Sequence, residues 1–147
     1  MAELGWDEIA ERFGAAQNWW VATSGASGPR AVPVWGVVVD GALHFYGEPT
    51  SVRSRNLAAD PRVVLHLESG SDVLILHGSA PAGAPAHEHA GVVAAYAAKY
   101  THPTDLPYLP DADGMADVLL HTVVPSRAVA WRFDGSGEGG DPRRWRA

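Results

Sequence analysis

The sequence predicts a mainly β protein with a few short helices, and three observations carry this prediction. Runs of β-branched and aromatic residues alternate through the first half of the chain, as a half-buried sheet requires. Asp40-Gly41 separates two such runs, and glycine accepts the positive φ of a two-residue hairpin turn. Segments rich in Ser, Gly and Pro interrupt the runs. We expect one domain over residues 1–147, because this length suffices to bury a single core.

Composition excludes several classes of protein. The net charge of −6 argues against general nucleic-acid binding, which requires a basic surface. No apolar run approaches the length of a membrane-spanning helix. The absence of cysteine excludes disulfides and thiolate metal sites. The acidic, amphipathic start MAELGWDEIAERFG is unlike a secretory signal, so we expect a cytoplasmic protein with no membrane partner.

In the first half of the chain, we predict a helix over Trp6–Ala15 with Ile9 and Phe13 on its apolar side. Strands follow from Trp19 to Thr23 and, as one long strand, from Arg30 to Val39. Pro33 removes a ladder donor, which favours a sheet edge or a bulge at that position.

In the second half, the pattern predicts two helices, four strands and the loops between them. The order is a helix from Ser51 that ends before Asp60-Pro61, a hairpin of Arg62–Glu68 with Asp72–Ser79, a connector at 80–85, a helix over Ala86–Tyr100, a loop over Thr101–Gly114, strands Val118–Val124 and Ala128–Phe133, and a flexible segment 135–140. A long irregular loop in a small domain is a candidate lid or pocket wall.

The most distinctive polar segment begins the second helix. Ser51, Arg53 and Arg55 place a hydroxyl and two guanidinium groups where free backbone N–H groups point outward, as an anion site requires. Two other interpretations remain open. The segment is equally typical of a capped, solvated helix start, and each arginine could instead form a surface salt bridge.

Four segments, WWVAT, GPRAVPVWGVVVDGALHFY, SVRSRNLAADPRVVLHLE and PRRWR, together resemble a known family. The sequence is similar to the FMN-binding split barrels of the pyridoxamine 5'-phosphate oxidase-like superfamily, and most of all to the actinobacterial branch that includes deazaflavin (F-420)-dependent reductases. Residues 80–115 match only loosely. The resemblance implies a split barrel of six or seven strands with two or three helices. It also implies a homodimer with the cofactor groove between subunits.

The resemblance also implies which residues bind the cofactor. Phosphate contacts would come from Arg30, Ser51, Arg53 and Arg55. The floor of the ring site, with backbone hydrogen bonds to the ring, would come from Val32, Pro33, Val34, Trp35, Phe45 and Tyr46. The alternative is that Pro33 marks an ordinary sheet edge and that Trp35 belongs to the core. Asn56 is better explained as a structural brace.

Two departures separate this chain from the vitamin-salvage oxidases of the superfamily. Those enzymes carry a lysine near the bent strand, where this chain has Trp35, and a C-terminal Arg-x-His motif. No histidine follows Val124 here. The Pro-Val-Trp strand and the Arg-Trp tail resemble the deazaflavin branch more closely.

The resulting functional hypothesis is an oxidoreductase that uses F-420 or FMN to transfer hydride to or from a small unsaturated or aromatic substrate. Further cations at Arg127, Arg143 and Arg144 would favour F-420, whose tail continues beyond one phosphate. No catalytic residue stands out, and a proton could come from Tyr46, Tyr100 or water. The alternatives are an FMN-bound oxidase or reductase and a non-catalytic cofactor-binding or ligand-binding barrel.

Metal and hydrolase chemistry have little support in the sequence. His87-Glu88-His89 lacks the zincin spacing, and residues two apart on a helix point in different directions. His66 and His77 fall on adjacent predicted strands, where structural roles are common. No G-x-S-x-G, G-x-G-x-x-G or Walker motif is present. For the tail from Asp141 to Arg146, packing back on the barrel and fraying are both open.

Overall fold

The computed structural model describes residues 3–133, 140 and 142–147. These residues contain three α-helices and ten strands. The helices are α1 (Trp6–Ala15), α2 (Val52–Ala59) and α3 (Ala90–Lys99), with short 3₁₀ turns at Ala86–Glu88 and Leu106–Tyr108. The strands are β1 (Trp19–Gly25), β2 (Gly28–Val34), β3 (Gly36–Val39), β4 (Ala42–Gly47), β5 (Arg62–His66), β6 (Asp72–Ser79), β7 (Ala82–Pro85), β8 (Leu119–Thr122), β9 (Val124–Arg132) and β10 (Arg143–Arg146).

The strands form two antiparallel sheets. The larger has the order β10-β9-β6-β5-β1-β2, and the smaller has the order β3-β4-β8-β7. The chain passes from one sheet to the other at Trp35, between β2 and β3. The predicted mainly β split barrel is therefore confirmed. No helix among the described residues is long and apolar enough to cross a membrane.

The predicted strand count was too low, for identifiable reasons. The expected single strand from Arg30 to Val39 is broken at Trp35 into β2 and β3. The Pro/Ala/Gly connector forms β7 on the edge of the smaller sheet, where it needs few backbone donors. The tail forms β10. Pro33 lies in β2, an edge strand, as its missing donor predicts.

Local chemistry explains the main boundaries. Asp40 and Gly41 both have positive φ, 50° and 78°, so the hairpin between β3 and β4 forms where predicted. The predicted helix over Ala86–Tyr100 is instead a 3₁₀ turn followed by α3, which begins at Ala90.

Two buried clusters stabilise the domain. The two sheets and α1 enclose an apolar core that includes Ile9, Phe13, Trp19 and Leu65, each fully buried. The second cluster lies between α3 and the smaller sheet, and its buried aromatic residues are Tyr96 and Tyr100. This second cluster is the one that packs behind Trp35.

The tail packs against the domain, which decides between the two open interpretations. β10 pairs with β9, and Trp145 lies 4.8 Å from Trp6 between ring centroids. Leu4 donates its N–H to the carbonyl of Arg144 at 3.0 Å. The predicted flexible segment 135–140 lies outside the described residues except for Gly140.

Candidate functional site

A slot opens at the junction of the two sheets. It has a volume of about 270 Å³ and lies between the end of β2, the end of β4, the start of α2 and the segment before β8. Its lining is mostly apolar, with one cation and two phenols. The lining residues are Pro33, Val34, Trp35, Tyr46, Arg53, Tyr108 and Met115.

Arg53 supplies the only cation in this lining. Its Nη2 donates to the carbonyl of Tyr46 at 3.1 Å, whereas its Nε is buried without a hydrogen-bond partner among the described residues. Burial lowers the pKa of Arg53, and the charge of Arg30 lowers it further. A buried donor left unpaired is energetically costly. An acceptor placed within hydrogen-bonding distance of Arg53 Nε would therefore be stabilising.

The neighbouring glycine makes room for this guanidinium. A Cβ at Gly47 would lie 2.6 Å from Arg53 Nη2 and 3.1 Å from Ser54 Oγ. A side chain at position 47 would therefore displace the arginine. β4 ends in glycine where the slot begins.

A second concavity of about 300 Å³ lies on the other side of α2. Arg30 and Arg55 line it together with the β1–β2 turn, Val52 and Asn56. Within the described part of the chain, no carboxylate lies within 4.0 Å of a guanidinium nitrogen of Arg30, Arg53 or Arg55. The three cations thus form a local positive region in an acidic protein.

The structure brings five of the ten predicted site residues into the slot: Pro33, Val34, Trp35, Tyr46 and Arg53. Arg30 and Arg55 line the second concavity. The side chains of Val32 and Phe45 pack into the apolar core instead, and Phe45 is fully buried. Any contact of these two with a cofactor would therefore use backbone atoms.

Ser51 is committed to the helix start. Its Oγ accepts the N–H of Ser54 at 3.1 Å and donates to Ser54 Oγ at 3.0 Å. This is the capping role that the alternative interpretation predicted. Asn56 braces α2 to β1 through its Nδ2, which donates to Thr23 Oγ1 at 3.1 Å.

Two slot residues, Tyr108 and Met115, were not predicted individually. Both lie in the irregular segment between α3 and β8, which the sequence indicated only as a pocket wall. Tyr46 Oη donates to the carbonyl of Tyr108, which fastens this segment over the slot. Tyr108 itself is 61% exposed. The signal that could have found it is an aromatic residue in a proline-rich loop.

Of the two candidate proton donors, only Tyr46 reaches the slot. Burial raises the pKa of Tyr46 to about 12, so it keeps its proton at neutral pH. Tyr100 is buried, and its hydroxyl is engaged by backbone groups of Gln17 and Gly36.

The outer face of the larger sheet is apolar at its centre. One cross-strand row runs Pro33, Trp20, His66, Ile75, Val129 and Arg144. Trp20 stacks on His66 with ring centroids 6.2 Å apart. Five strand spacings separate Pro33 from Arg144, which is about 24 Å. Arg144 therefore lies far from the slot, and Arg127 lies on β9, four strand positions from β2.

Within the described part of the chain, the histidines belong to no candidate metal site. Among residues 3–133, 140 and 142–147, no group of three or more His, Asp or Glu residues is arranged to hold a metal ion. His121 is fully buried, stacks on Phe45 and has its Nδ1 2.9 Å from the carbonyl of Ala80. Burial lowers the pKa of His121, which keeps it neutral.

Among the comparisons with known proteins, only the comparison of structures supports the fold. No protein-family model and no curated protein matches the sequence. A conserved hypothetical protein from Mycobacterium tuberculosis has a similar structure, with a TM-score of 0.72, 24% identity and 95% of each chain covered. An F-420 reductase gives a TM-score of 0.63 at 20% identity, covering 80% of this chain and 94% of its own.

A third similar structure is a putative pyridoxamine 5'-phosphate oxidase from Listeria innocua. Its TM-score is 0.62 at 13% identity, with 85% of this chain and 96% of its own covered. The two sheets, their junction and the slot define a split barrel. The chain shares this split-barrel fold with the three solved structures.

Proposed function

We propose that this protein is an oxidoreductase that binds a flavin or the deazaflavin F-420 in the slot and transfers hydride to or from a small unsaturated or aromatic molecule. The observation that carries the proposal is Arg53, a guanidinium with an unpaired, buried Nε beside an aromatic slot. An anionic group of a cofactor would satisfy that donor.

The phosphate is assigned to the region of Arg53 and Arg30. A charged hydrogen bond from a guanidinium to phosphate is stronger than one between neutral groups, and a bidentate fork fixes orientation. Ser54 and Arg55 follow on α2, whose first-turn N–H groups face the same end. The residues present fit an anionic cofactor.

The ring is assigned to the apolar part of the slot. Trp35 and Tyr46 offer aromatic surfaces, and Pro33 and Val34 belong to β2, which is an edge strand of the larger sheet among the described residues. When bound, the cofactor supplies the hydride chemistry. Tyr46 holds a proton at its Oη at neutral pH, and Tyr108 covers the slot on the solvent side.

The slot by itself is small for both ring and substrate. Ligand sites usually occupy roughly 300–1,000 Å³, against about 270 Å³ here. We propose that a second copy of the chain completes the site by packing against the outer face of the larger sheet. The apolar row through Trp20, Ile75 and Val129 ends at Pro33, which also lines the slot.

The deciding experiment is a titration of the purified protein with FMN and with F-420, followed by fluorescence. Wild type is compared with Arg53→Ala and with Arg132→Ala, a control that removes a largely exposed arginine from β9. We expect binding of one coenzyme, weakened by Arg53→Ala and unchanged by Arg132→Ala. Equal binding by all three proteins would overturn the phosphate assignment.

Turnover separates an enzyme from a carrier. Reduced coenzyme, enones, quinones and nitroaromatics are mixed with the protein, and oxidation of the coenzyme is followed by absorbance. Substrate-dependent oxidation supports a reductase. Preference for FMN with oxygen consumption supports the oxidase alternative, and binding without turnover supports a non-catalytic barrel.

A further inference from the structure

Helix α3 holds the peptide at which the chain crosses from one sheet to the other. Lys99 Nζ donates to the carbonyl of Gly36 at 2.6 Å, and the N–H of Gly36 donates to Tyr100 Oη at 3.0 Å. Tyr96 Oη donates to the carbonyl of Trp35 at 2.9 Å. Three side chains on one helix face therefore fix one strand junction.

The same helix also supports the Trp35 ring. Trp35 stacks on Tyr100 with centroids 4.6 Å apart and an interplanar angle of 14°. Because Trp35 lines the slot, its orientation sets the shape of the proposed ring site. A Cβ at Gly36 would overlap the buried ring of Trp19, so the peptide has little freedom to shift.

Lys99 occupies an unusual position for a lysine. It is half-buried, and none of the described carboxylates lies within 4 Å of its Nζ. Its ammonium lies 5.5 Å from the ring centroid of Trp19 and 5.2 Å from that of Tyr100. Burial lowers its pKa to about 8. No ion pair explains this placement, whereas the bond to Gly36 does.

We propose that Lys99 is a positioning residue of the cofactor site, which acts through the Gly36 carbonyl to hold Trp35 in the slot. This inference rests on the proposed function. Without the Lys99 donor, the Gly36 carbonyl keeps only the hydroxyl of Tyr100 as a side-chain partner, at 3.1 Å. The Trp35 ring then loses its fixed tilt against Tyr100. Lys99 does not line the slot, and its influence on the slot passes through Gly36 to Trp35.

The first test uses the protein without a coenzyme. The indole N–H signals of the tryptophans are recorded by NMR, and Trp35→Phe identifies the signal of Trp35. Lys99→Met is compared with Val92→Ala, which removes buried packing from the same helix but makes no hydrogen bond to Trp35 or Gly36. We expect Lys99→Met to shift and broaden the Trp35 signal, and Val92→Ala to leave it in place.

The second test measures coenzyme affinity of the same variants. Lys99→Met is expected to weaken binding three- to tenfold, while Val92→Ala lowers the melting temperature without changing affinity. If Lys99→Met does not fold, Tyr100→Phe removes the other Gly36 partner, keeps the stacked ring and takes its place in both tests.

The two proposals fail differently. An unchanged Trp35 signal in Lys99→Met, or the same small shift in Val92→Ala, overturns the positioning role. If wild type binds neither coenzyme, the proposed function fails, while the indole comparison still decides whether Lys99 fixes Trp35.

Discussion

The cations near the slot and the cations near the tail have opposite surroundings. Arg143 forms a bidentate pair with Glu8, at 2.8 and 2.6 Å, and Arg62 pairs with Asp60 at 2.7 Å. Arg53 and Lys99 are partly buried, yet among the described residues neither has a carboxylate partner. Paired cations connect parts of the chain, whereas unpaired buried cations are costly and indicate a ligand or a positioning task.

The largest expected effect comes from removing the unpaired cation in the slot. Arg53→Ala should weaken coenzyme binding by about 1.5–3 kcal/mol, the cost of losing a charged hydrogen bond. Isothermal titration calorimetry measures the difference from wild type. Arg62→Ala, which removes a paired and exposed arginine, is the control and should bind as wild type does. An equal loss of coenzyme affinity in both variants would show that paired and unpaired arginines do not differ in their role in binding.

Crowding Arg53 without deleting it should have a smaller effect. Gly47→Ala places a Cβ 2.6 Å from Arg53 Nη2, so the guanidinium must move. We expect about a tenfold loss of affinity, or 1.4 kcal/mol, measured by the same titration. Gly70→Ala is the control, because a Cβ there meets nothing within 4 Å.

Alkaline pH should distinguish Lys99 from ordinary lysines. Its folded-state pKa of about 8 lies below the usual 10.5, so the unfolded chain binds more protons between pH 8 and 10. The free energy of unfolding should therefore rise over that range, by about 1 kcal/mol once its partial exposure is allowed for.

Urea unfolding at pH 7.5, 9 and 10 tests this, and Lys99→Met should abolish the rise. Above pH 10 the sign reverses. Burial raises the pKa of Tyr46, Tyr96 and Tyr100, so the unfolded chain loses those protons first. A flat profile from pH 8 to 10 in wild type would contradict the assignment.

The smallest effect is expected at the paired and partly exposed cation Arg143. Arg143→Gln should lower the free energy of unfolding by about 0.2–1 kcal/mol, measured by urea titration at pH 7. Arg143 lowers the pKa of Glu8, so this contribution is present above the usual pKa of Glu8 and is lost as pH falls through its folded-state pKa. Wild type and variant should converge at low pH. A gap that persists there would mean that the pair acts through packing.

Most of the fold could be predicted because local chemistry dictates it. The apolar spacing of α1, the Asp40-Gly41 turn and Pro61 after α2 each specify their elements within a few residues. The positions at which strands break were harder to predict from the sequence. The break at Trp35 depends on Tyr96, Lys99 and Tyr100, which are more than sixty positions away. β7 forms only because β8 offers an edge.

The site could be predicted in part. Arg53 and Trp35 follow from the order of the segments that resemble the split-barrel family, and both line the slot. Tyr108 and Met115 could not be assigned to the slot from the sequence. They lie in a loop without periodicity, and such a loop does not indicate which side chains point inward. The inward packing of Val32 and Phe45 depends on strand register, which alternates at every residue and which the break at Trp35 resets. The roles of these residues toward a cofactor stay predictions.

The junction between the first helix and the tail strand has a consequence for synthesis of the protein. Glu8 and Arg143 are 135 residues apart in sequence, yet they are directly bonded. At about 5–20 residues per second, a ribosome needs on the order of ten seconds between them. During that time α1 lacks Arg143, and Trp6 lacks Trp145. The contacts between α1 and β10 can therefore form only after nearly the whole chain has been synthesised.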